Sequence, residues 1–143
     1  MRVAAAGDIH VDRHNRDEVA RSFAALNGQA DLVLIAGDMT THGEPEQAEL
    51  FVSCRRETEL PVVAVLGNHD FEAGKQDEVA DVLRDAGVTV LDGDACEVRG
   101  IRIGGAKGFI GGFGRGTLEP WGEDGVKMLV LVEMFLAEGR LAV

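Results

Sequence analysis

The chain's 143 residues include 14 basic and 25 acidic side chains, a formal net charge of −11. A surface this acidic repels nucleic acid and anionic membrane, which excludes binding to either through charge alone, and no run of about 18 apolar residues could span a bilayer. With 45% hydrophobic and only 5% aromatic residues, the composition suits one domain with a core of Val, Leu, Ile and Ala.

The first apolar run, Val3 to Ala6, stops at Gly7-Asp8. It is too short for a secretory leader, so a cytoplasmic location is the default expectation. Val19, Phe23 and Leu26 recur at helical spacing. Leu32 to Ala36 is a continuous apolar run ending at Gly37-Asp38, the pattern of a buried parallel strand. Ala48, Phe51 and Val52 mark a second helix, with Pro45 in its first turn. Val62 to Leu66 reads as a third strand ending at Gly67-Asn68. Val79, Val82, Leu83 and Ala86 mark a third helix, stopped by Gly87. The alternation predicts a parallel βαβαβ sheet with crossover helices. Val88 to Leu91, Cys96 to Val98 and Ile101 to Gly104 follow as short strands, read together as a β-meander or hairpin. Cys54 and Cys96 match no zinc or redox spacing and read as free thiols.

Three strand ends carry polar residues in phase: Asp8-Ile9-His10, Gly37-Asp38 and Gly67-Asn68-His69-Asp70. Asp8 to Asp38 and Asp38 to Asn68 are each 30 residues, about one strand–helix unit. All three therefore return to the carboxyl edge of the sheet, where open α/β sheets bind ligands. A lone Asp after a strand is a turn or cap residue; three such ends in phase, with two histidines among them, point to a shared site. Carboxylate, imidazole and amide oxygen without thiolate suit manganese, iron, zinc or magnesium. Asp8 and His10, two apart in extended backbone, would point to one side. The glycine before each site is expected to permit a sharp turn.

These segments resemble the first three motifs of the calcineurin-like metallophosphoesterase family: D-x-H, GD and GNH[DE]. The resemblance implies an α/β fold, the N-terminal part of an αββα sandwich. It implies a dinuclear centre in which Asp8 and His10 hold one metal, Asp38 bridges and Asn68 holds the second. His69 would contact the phosphate or protonate the leaving oxygen, with Asp70 orienting its ring. A bridging hydroxide would hydrolyse a small phosphomonoester or phosphodiester substrate.

The family's later motifs, Gly-His and Gly-His-x-His, have no counterpart. The four histidines are His10, His14, His42 and His69. The chain thus reads as a single incomplete domain over 1–143, expected to hold one metal well. A degenerate, non-catalytic metal-binding fragment is the alternative. His14 and His42 read as solvated loop residues. Gly104 to Gly116 reads as a flexible loop with Lys107 and Arg115 as its basic candidates for phosphate. The apolar Met128 to Val132 segment would need cover, so self-association is expected there.

Overall fold

The computed structural model describes residues 1–107. Four parallel strands, β1 (Val3–Ala6), β2 (Leu32–Ala36), β3 (Val62–Val65) and β4 (Val88–Leu91), lie in sequential order. Helices α1 (Arg16–Ala25), α2 (Pro45–Arg55) and α3 (Gln76–Asp85) connect them. Successive crossovers of one hand, each stepping the same way across the sheet, put all three helices on one face. The other face is covered by an antiparallel hairpin of β5 (Asp94–Val98) and β6 (Ile101–Gly105). Its two-residue turn, Arg99-Gly100, has φ of 52° and 80°, the left-handed pair that matches strand twist.

The strands follow from their sequence. Each buried strand must be apolar on both faces. Val33 and Ile35, with Val62, Ala64, Val88 and Val90, pack on the helices around Phe51 and Leu83. Leu32, Leu34, Val63, Val65 and Leu91 pack on the hairpin through Ile103. The register Val33↔Val62↔Val88 keeps like faces aligned across three strands. β1 is different: as an end strand of this sheet it is largely exposed.

Two expectations change. Val88 to Leu91 is not part of a meander; it pairs with β3 as the fourth parallel strand, because its apolar residues meet buried neighbours on both faces. A 3-10 turn at His69–Phe71 was not foreseen. Both cysteines are free, Cys54 buried and Cys96 half-buried. No helix among the described residues is long and apolar enough to cross a membrane. The Met128 to Val132 segment, Arg115 and most of the glycine-rich stretch lie outside the described residues.

Phe51 is fully buried and meets Phe23 edge-on at 5.6 Å between centroids. Phe51→Ala is expected to cost about 3–5 kcal/mol, read as a lower urea midpoint. Thr89→Ala, at an exposed position, is expected to stay within about 0.5 kcal/mol.

Candidate metal centre

The carboxyl ends of β1, β2 and β3 open onto three loops that are bonded to one another. Beyond the strand ladder, Asp8 N–H donates to the Gly37 carbonyl (3.2 Å), His10 N–H to the Asp38 carbonyl (2.9 Å) and Val11 N–H to the Met39 carbonyl (2.9 Å). The first loop thus stays in register with the second. The Asn15 amide donates to the His10 carbonyl (3.1 Å). Asp12 accepts N–H bonds from Asn15 and His14, which hold its carboxyl below the ordinary value. Asp12 and Asn15 therefore brace the site, while His14 between them is exposed as expected.

The third loop is fastened by Asp70, which is fully buried. Its Oδ1 accepts from Thr40 N–H (2.8 Å) and the Thr40 hydroxyl (2.7 Å), and its Oδ2 accepts from Gly67 N–H (2.9 Å). His69 N–H donates to Asp38 Oδ1 (2.9 Å). A Cβ on Gly67 would lie 2.5 Å from the Asp38 nitrogen and collide with its carboxylate. Glycine is required there for close approach, not for a turn.

Asp8, His10 and Asp38 each bring one ligand atom within 4.8 Å of the others. They do so through backbone that is not extended. Their φ angles are 54°, 44° and 52°; among the described residues Arg99 is the one other non-glycine with positive φ. Left-handed backbone costs an L-residue about 1–3 kcal/mol where surroundings impose it, although Asp and His tolerate it better than most. The side chains converge because the chain turns at the ligands themselves. Of the three preceding glycines, Gly37 alone has positive φ.

Burial pushes the Asp38 carboxyl above its ordinary value; the His69 N–H bond opposes this and the neighbouring Asp70 carboxylate adds to it. Two carboxylates and an imidazole in such reach form a donor set that fits a divalent cation. Asn68 lies between Gly67 and His69, both of which touch Asp38, so it sits at the same edge. The His69 ring stands edge-on to His10, with centroids 4.6 Å apart. Its Nδ1 lies 2.9 Å from the Thr41 carbonyl, so Nδ1 carries the proton and donates.

The expected role of Asp70 changes, because its oxygens serve Thr40 and Gly67 while the Thr41 carbonyl takes the His69 ring bond. Lys107 lies 3.4 Å over the Phe71 ring. Thr40, Thr41 and Asn15 were missed. Only the Asp12-x-x-Asn15 spacing before a helix could have pointed to one of them.

Asp38→Asn removes a carboxylate that burial disfavours. The folded pKa lies above the ordinary 3.8, so the Asp38 contribution to stability is greatest at low pH and falls as pH rises through the shifted value. At neutral pH the metal-free variant is expected to melt at or above the wild-type temperature. It should also lack the Mn²⁺-induced rise, worth about 2.7 kcal/mol in wild type at one hundred times the dissociation constant. Calorimetry with and without Mn²⁺ checks both. Asp70→Asn should instead destabilise by about 2–3 kcal/mol, since an amide cannot accept all of these bonds.

A profile of the calcineurin-like phosphoesterase family matches residues 1–130. No curated protein matches. Among solved structures, the crystal structure of TT1561 of Thermus thermophilus aligns with a TM-score of 0.59 and 19% identity. The alignment covers 76% of this chain and 49% of that one, so this chain spans about half the length of that structure and shares its fold. By sequence profile over most of its length, the chain belongs to the calcineurin-like phosphoesterase family.

Proposed function

We propose that this chain is a metal-dependent hydrolase of phosphomonoesters or phosphodiesters, with Asp8 and His10 holding one divalent ion, Asp38 bridging and Asn68 holding a second. The convergence of Asp8, His10 and Asp38 carries this reading. When bound, the ions supply Lewis-acid polarisation of the phosphoryl group and an activated water.

The protein's own residues set the geometry. The His69 N–H bond fixes the Asp38 carboxylate, while the ladder from Asp8 to Val11 holds the first loop against the second. His69, tied through Nδ1 to the Thr41 carbonyl, would meet the phosphate or pass a proton to the leaving oxygen. Asp70 supports this indirectly by holding Gly67 and Thr40 in place. The acidic chain would repel an anionic substrate; cations at this edge reverse the local sign.

A second reading, metal binding without turnover, is favoured by one observation: no histidine follows His69. Hydrolysis of a chromogenic bis-aryl phosphate with added Mn²⁺ separates the two. The hydrolase reading expects Asp38→Asn to lower the rate by at least about 100-fold. Equal rates for variant and wild type would leave only the non-catalytic reading.

A further inference from the structure

Between β1 and α1 the molecule carries an apolar groove of about 390 Å³. Phe23, Val33 and Ile35 form its buried floor, with Ile9, Val19 and Leu26 half-buried around them. Ala5 and Ala6 make an exposed lip. We propose that this groove seats an apolar stretch of the same chain, Met128 to Leu136. That stretch lies outside the described residues. The proposal stands apart from the phosphoesterase reading and does not depend on it.

Groove and stretch each need cover. From Met128 to Leu136 the one charged residue is Glu133, and leaving so apolar a stretch in water costs about 25 cal/mol for each Å² exposed. On the other side of the contact, β1 pairs with β2 alone among the described residues. Its side chains after Val3 are all alanine, too short to close the gap to α1. An end strand of this kind presents unpaired backbone groups beside an apolar floor.

The other end of the sheet fits the stretch less well. The crevice beside β4 carries Asp77, Arg84, Asp92 and Lys107 in its walls, and burying such groups without partners is costly. A second copy of the chain would bring the same net charge of −11, so two copies repel. A tethered segment has no such barrier to encounter, and a flexible tether holds it at an effective concentration on the order of millimolar. The tether is long enough. Lys107 lies over the Phe71 ring, just past β3, and the groove beyond β1 is about three strand spacings away, roughly 15 Å. The residues between Lys107 and Met128 could span about 60 Å when extended.

A seated segment would also touch the first metal loop from behind. Ile9 and Asn15 both line the groove, and the Asn15 amide holds the His10 carbonyl.

Nuclear Overhauser spectra of the methyl-labelled full chain test this. Contacts from Leu129 and Leu131 to Phe23, Val19 or Leu26 are expected within one molecule. Leu129→Asp/Leu131→Asp is expected to abolish them and to shift the Val19, Leu26 and Ile35 methyl signals. Those of Val63 and Leu91, on the opposite face, should stay in place and report an intact fold. Contacts seen between labelled and unlabelled chains in a mixed sample would make the occupant a second copy and overturn the proposal. So would contacts elsewhere on the molecule, or groove signals that the double variant leaves unchanged.

Discussion

Two carboxylates, Asp8 and Asp38, and the His10 ring bring their ligand atoms within 4.8 Å of one another, on backbone that L-residues rarely adopt. Without a cation this arrangement works against folding. Asp38 is desolvated and faces the Asp70 carboxylate, and each left-handed residue adds strain. Such a cluster persists only where surrounding structure over-determines it. Here the surroundings are the ladder that continues from β1 into its loop, the Asn15 brace and the buried Asp70.

Asp70 shows how a fold is recruited to hold a site. Its carboxylate joins the loop after β2 to the loop after β3 through Thr40 and Gly67. A buried charge without partners is costly; with these donors it becomes a clamp. The same clamp brings Gly67 against Asp38, where no larger residue fits. The sheet supplies the platform: β2 and β3 are buried on both faces, so their carboxyl ends are fixed points from which short loops project.

Much of this was legible in the sequence, for a physical reason. Parallel strands covered on both sides must be continuous apolar runs, so Leu32 to Ala36 could be delimited from its residues alone. The 30-residue phase of Asp8, Asp38 and Asn68 placed them on one edge. The fourth strand was misgrouped because four apolar residues do not reveal their partner. The backbone at Asp8 and His10 was also misread, since spacing assumes an extended chain and carries no φ. The role of Asp70 was illegible for a related reason. A carboxylate after a histidine looks the same whether it faces the ring or the neighbouring loop, and only the Thr40 donors decide.

The central claim is that Asp8, His10 and Asp38 cage one cation between the loops after β1 and β2. Anomalous diffraction from crystals of the protein grown with Mn²⁺ tests it most directly. The account predicts a manganese peak within bonding distance of all three side chains. A peak elsewhere, or none at saturating manganese, would contradict it.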